Sequence, residues 1–136
     1  MLVMSVLAMA LFNPMPEDAD LNGTWQLKNA DVAGNPLPAE FIKSFKLIVE
    51  GDKYRALTGG PEDKGELKLS TEGKRKTIDI IGKEGPNQGK TLLAIYKIEG
   101  DKMTCCYDLS GKARPTEFKS TAENKLFLAV YEREKK

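Results

Sequence analysis

The chain has 136 residues, 40% of them hydrophobic and 30% charged, a size and balance that suit one globular domain. Lys plus Arg number 21 against 20 for Asp plus Glu, so the net charge is +1 and the clustered basic excess of a nucleic-acid binder is missing. There is no histidine, which removes the usual general base, zinc ligand and proximal haem ligand together. A catalytic set, a metal centre and a cofactor are all left without their commonest residue.

Met1 to Phe12 is apolar apart from Ser5. The run is too short to span a bilayer but matches the apolar centre of a secretory signal, and Ala8-Met9-Ala10 fits a small-x-small cleavage site. The basic residues that usually precede such a centre are absent. The competing reading is a short helix packed on the domain. Residues 13–20 hold two prolines and then acidic residues without periodicity, which reads as a linker. The sequence therefore divides into an apolar leader over 1–12, a linker over 13–20 and a domain over 21–136, with an exported, periplasmic or extracellular destination.

The domain opens on Asn22-Gly23-Thr24-Trp25. Trp25 is the only tryptophan, and it stands at the mouth of the first predicted strand, about Thr24 to Val32. Such a residue buries more area than any other side chain, so it is expected to plug the closed end of a core. Apolar positions fall at Trp25 and Leu27, then at Ala30 and Val32, a phase slip of the kind a bulge produces. Residues 38–44 form the one convincing helix: Pro38 suits the first turn, Glu40 the positive end, and Phe41, Ile42 and Phe45 one apolar face.

Everything after Lys46 reads as β. Strands are predicted over 46–50, 53–58, 65–70, 76–81, 90–99, 102–107 and 125–133, mostly alternating and joined mainly by turns such as Gly51-Asp52 and Gly100-Asp101. Leu67 and Leu69 are expected to face inward, as are Ile78 and Ile80, and Leu92, Ala94, Tyr96 and Ile98. The connections leave no room for crossover helices, so a parallel α/β sheet is excluded. An open sheet of eight strands would leave two long edges. Closure into an eight-stranded antiparallel up-and-down barrel removes them, and a barrel of that size holds either side chains or one small ligand. A two-sheet sandwich is the second architecture.

Four features invite chemistry. Gly85 to Gly89 precedes Lys90-Thr91, but a phosphate loop sets four residues between its glycines and runs into a helix; here there are three, and a strand follows. Cys105 and Cys106 are neighbours on a strand, so they point to opposite faces, one thiol inward and one outward. A vicinal redox pair is the alternative. Arg114 could centre an anion site with Glu117, or simply pair with it in a packed loop. Asp79, Glu84 and Glu117 are the carboxylates available for acid–base work, with Asp79 on the solvent side of its strand. Tyr54, Leu92, Tyr96, Met103, Tyr107 and Phe127 are the candidates for an interior lining. Tyrosines there would offer ring area and an orienting hydroxyl to a flat or amphipathic molecule. A filled interior acting through its outer surface is the competing reading.

Gly23-Thr24-Trp25 resembles the Gly-x-Trp signature that opens the first strand of the lipocalin superfamily. That resemblance implies an arginine on the last strand stacked over the tryptophan, and Arg133 is the matching position, with Gly23, Trp25 and Arg133 together closing the barrel. The second lipocalin signature, a Thr-Asp-Tyr turn, is absent. Over nearly the whole domain, Leu21 to Trp25, Gly51 to Tyr54, Lys76 to Ile80, Gly85 to Leu92 and Arg114 to Phe118 resemble, in the same order, an uncharacterised lipocalin-like domain family of planctomycete bacteria. Its members are often small predicted exported proteins, and it carries no activity to transfer. The expectation is an exported, non-enzymatic barrel that binds a small apolar or amphipathic ligand. It needs no cofactor or metal, has no nucleic-acid partner and inserts into no membrane; an oligomer stays open.

Overall fold

Strand-forming stretches and tight turns alternate along residues 21–135, which a computed structural model describes. The leader and linker expected over 1–20 lie outside the described residues. The elements are β1 (Gly23–Val32), β2 (Asn35–Pro36), α1 (Ala39–Ser44), β3 (Lys46–Glu50), β4 (Lys53–Leu57), β5 (Asp63–Glu72), β6 (Arg75–Glu84), β7 (Thr91–Glu99), β8 (Lys102–Asp108) and β9 (Phe127–Arg133). Each strand from β3 onward pairs antiparallel with the next, and β9 returns to pair with β1, which also pairs with β3. The two-residue β2 only flanks β1, so eight of the nine strands form the closed wall of a lipocalin-like barrel. The phase slip in the first strand is a bulge between Leu27 and Asn29, where β1 runs against β9.

The barrel has two unlike ends. Gly51-Asp52, Gly73-Lys74 and Gly100-Asp101 turn the chain at the end where β1 begins and β9 finishes. The longer connections 58–62, 85–90 and 109–126 lie at the other end, the upper one here. α1 sits there too. β3 pairs with β1 only as far as Gln26, and α1 packs on β1 beyond that point, setting Phe41, Ile42 and Phe45 against the core. The Gln26 amide donates to the carbonyls of Ile42 (3.1 Å) and Phe45 (3.0 Å), adding to the backbone bonds that tie the end of α1 to β1.

Two differences from the expected pattern have physical causes. β5 and β6 are ten-residue strands, longer than their apolar cores, because their charged ends continue to pair with each other past Glu66, the last β5 residue opposite β4. Leu69, expected inward, is 41% exposed for that reason: it lies where β5 has lost its β4 neighbour. The second difference is on the outside of the wall. Thr77, Ile95 and Cys106 form a cross-strand row on the outward faces of β6, β7 and β8, yet all three are buried. The 109–126 connection covers them. Pro115 is buried there, Phe118 lies under the Lys97 ammonium at 5.0 Å, and the Cys106 thiol points to the Lys119 carbonyl at 3.8 Å. So Cys105 and Cys106 do face opposite ways, but both are buried.

Candidate functional site

Alternation places one face of every strand in the interior, and the sizes of those side chains decide whether the interior fills. At the lower end it does. Trp25 is 0% exposed and its indole N–H donates to the Leu21 carbonyl at 2.9 Å. The β1–β9 register sets Arg133 directly opposite, and its guanidinium carbon lies 4.2 Å from the centre of the indole ring. The same side chain donates to the Asn22 carbonyl and sits 3.6 Å from the Asp101 carboxylate. Gly23, at φ +129°, holds a backbone conformation that a side chain would strain, and a Cβ there would meet Arg133 Nη1 only at ordinary contact distance, 3.5 Å. Gly23, Trp25 and Arg133 thus meet at the seam.

Above this plug the interior is not full. A cavity of about 190 Å³ runs from Leu21 past Val49, Ile80 and Met103 to an upper rim that includes Phe45 and Leu109. Leu109 is 44% exposed, so the cavity reaches the surface beside it. Most of the lining is aliphatic or aromatic. Its volume exceeds the ~150 Å³ void that admits benzene but falls short of the ~300 Å³ of a drug-sized site.

Polar groups enter the lining at two places. Tyr107 and Tyr131 face each other from β8 and β9, their hydroxyl oxygens 2.8 Å apart, with Phe127 stacked on Tyr107 at 5.1 Å. Burial is the main reason both phenols ionise far less readily than in water, with the neighbouring Cys105 thiol adding to it. Burial likewise pushes the Cys105 thiol from its ordinary 9.0 up to about 12, which removes the thiolate that nucleophilic chemistry would need. The second place is at the upper rim. The Tyr54 hydroxyl donates to Asp63 Oδ2 (3.2 Å), as does the Asn87 side-chain amide (2.8 Å), while the Asn87 backbone N–H donates to Oδ1 (3.1 Å). Burial first, then the Asp63 charge, holds the Tyr54 hydroxyl protonated and donating. Gly85, at φ +92°, makes this corner: a Cβ there would fall 2.2 Å from the Glu62 carbonyl, so only glycine lets the 85–90 loop fold onto the start of β5.

Of the residues singled out in the sequence, Tyr54, Leu92, Met103, Tyr107 and Phe127 line the cavity. Tyr96 and Arg114 do not. Tyr96 is buried on β7 and borders a groove at the tip of the β5–β6 hairpin, with Lys76 and Ile98. Arg114 lies outside the wall, because its loop is the strap over β6 to β8. It donates to the carbonyls of Ile78 (3.3 Å) and Ala94 (3.2 Å) and pairs with Asp79 at 2.7 Å, rather than with Glu117. Asp79 is thereby committed, and Glu84 and Glu117 are exposed. Among the described residues, no three His, Cys, Asp or Glu side chains cluster as a metal site would require. Asp63, Asn87, Leu109 and Tyr131 are among the lining residues that sequence reasoning missed. The glycines at 82, 85 and 89 were the available signal for Asn87, since so many in one connection point to close backbone approach.

No protein-family model matches the sequence, and no curated protein matches it. The fold and the cavity carry the functional reading by themselves.

Proposed function

We propose that this chain is an exported, non-catalytic binding protein whose barrel takes one small apolar or amphipathic molecule from its upper end. The observation that carries the reading is the 190 Å³ apolar cavity above a sealed base, reaching the surface at Leu109. A filled interior would have left no such volume. Over the aliphatic and aromatic stretches of this lining water finds few of the two or more polar partners it needs, whereas an apolar guest gains ~25 cal/mol for each Å² it removes from water. The apolar run ending at Phe12, with its small residues at Ala8 and Ala10, supports export.

Native mass spectrometry on protein secreted from its full-length sequence and purified without detergent reads both parts at once, from the mature mass and any co-purified molecule. Titration of the emptied protein with benzene-sized apolar probes should raise Tm, since a ligand at about 100 times its Kd adds ~2.7 kcal/mol of stability. Ala56, on the cavity wall, offers the control: Ala56→Phe should abolish the shift while stabilising the unliganded fold by ~0.5–2 kcal/mol. A protein that carries nothing and responds to no probe is not a binding protein of this kind. An unprocessed mass removes export.

A further inference from the structure

We infer that the guest is an amphipathic amine, its apolar body in the barrel and its protonated amino group on the Asp63 carboxylate. The inference rests on the binding function proposed above and adds the chemistry of the head group.

Asp63 opens β5 at the upper rim, is only 7% exposed, and lines the cavity. Its three donors, from Tyr54 and twice from Asn87, are all neutral. The cations nearest in sequence are turned elsewhere: Arg55 lies 2.9 Å from Glu62, and Lys64 lies 3.7 Å from the same carboxylate. Among the described residues no Lys or Arg makes an ion pair with Asp63. A buried charge is normally matched by an opposite one, because hydrogen bonds alone recover only part of its lost hydration. Among the described residues no side chain supplies that countercharge, although Asp63 lines the cavity.

The accepting capacity is there too. An ionised carboxylate offers about four lone-pair positions, and three are taken, two on Oδ2 and one on Oδ1. The open position on Oδ1 suits one N–H of an ammonium, and Thr58, which also lines the cavity, carries a hydroxyl able to accept another. The other polar spot offers an ammonium no countercharge: the Tyr107 and Tyr131 hydroxyls are bonded to each other and burial keeps both protonated. An alcohol could bond to Oδ1 but would leave the charge unmatched. A carboxylic acid, ionised at neutral pH, would place like charges together in a site of low polarity. The expected order is amine, then alcohol, with carboxylate excluded, and the body is limited to about one aromatic ring by the volume.

Calorimetric titration of the full-length protein with toluene, benzylamine, benzyl alcohol and benzoate tests this at pH 7. Benzylamine should bind about tenfold or more tighter than benzyl alcohol, in line with the greater strength of charge-assisted hydrogen bonds, and benzoate should not bind. In Asp63→Asn the amine-to-alcohol ratio should fall to within about twofold. Tyr54→Phe guards against a variant that fails to fold: it keeps the carboxylate, removes one neutral donor, and should raise the ratio. If toluene and every other probe fail to bind, the binding function itself falls. If toluene binds and benzylamine gains nothing over benzyl alcohol, or the ratio does not change in Asp63→Asn, the head-group assignment falls alone.

Discussion

Replacing Arg133 tests how the closed end is held. Arg133→Ala removes a guanidinium stacked on Trp25, a hydrogen bond to the Asn22 carbonyl and an ion pair with Asp101. A cation over an indole face contributes ~0.5–2 kcal/mol and a hydrogen bond ~0.5–1.5 kcal/mol, so the loss should total about 1–3 kcal/mol in urea unfolding. Arg133→Lys keeps the charge but not the planar fork, and should restore less than half of that. A loss under about 0.5 kcal/mol for Arg133→Ala would mean that the indole seals the base without help. This pair was legible through the resemblance of Gly23-Thr24-Trp25 to the lipocalin signature, which implies an arginine on the last strand; strand patterning alone does not pair the two. The Tyr54–Asp63–Asn87 corner was not. Alternation tells which face a residue takes, but Asn87 lies 24 positions from Asp63, and only the folding of the 85–90 loop brings them together.

At the scale of elements, the 109–126 connection behaves as a strap. Loops beyond about 12–15 residues without secondary structure are uncommon in compact domains, and this one is held in place over the outward row of Thr77, Ile95 and Cys106. Arg114 fastens it, through Asp79 and the two strand carbonyls. Asp108 anchors its start by accepting from the backbone of Lys112 and Ala113 and from Ser110; these bonds outweigh burial and hold its carboxyl below the ordinary range. Arg114→Ala should therefore loosen the strap and not the barrel. A thiol reagent should label Cys106 about tenfold faster or more, as follows from weakening local closure by one or two charge-assisted bonds, while Cys105 stays protected on the inner face. Peptide mapping after timed labelling reads the two sites separately. Unchanged labelling of Cys106, or equal acceleration at both thiols, would show that Arg114 does not control the strap. Strand positions were largely readable from alternation and Gly-Asp turns. The extra length of β5 and β6 was not, because a charged hairpin tip looks like a loop until its two halves are seen to pair. The strap was invisible for a related reason: nothing in the pattern of an outward-facing row says what will lie on it.

For the molecule as a whole, closure followed from strand number and turn length, but the cavity did not. Eight strands enclose a space that side chains can just fill, and a small inward residue such as Ala56, on the cavity wall, leaves part of it empty. How much stays empty depends on how the larger neighbours orient, which the order of residues along the chain does not fix. The seam between β1 and β9 has a further effect. There the amide of Glu134 donates to the carbonyl of Thr24 at 2.7 Å, so the first and last strands of the wall end side by side. A ribbon closed in this way is a ring, and the order in which its strands are synthesised becomes a free choice. A circular permutant joined from Glu134 to Leu21 by a short glycine-serine bridge, and reopened at the exposed Gly73-Lys74 tip, should keep the tryptophan emission and cooperative melting of the parent. Failure of the permutant to fold would show that the wall needs β1 in place before the rest can gather round it.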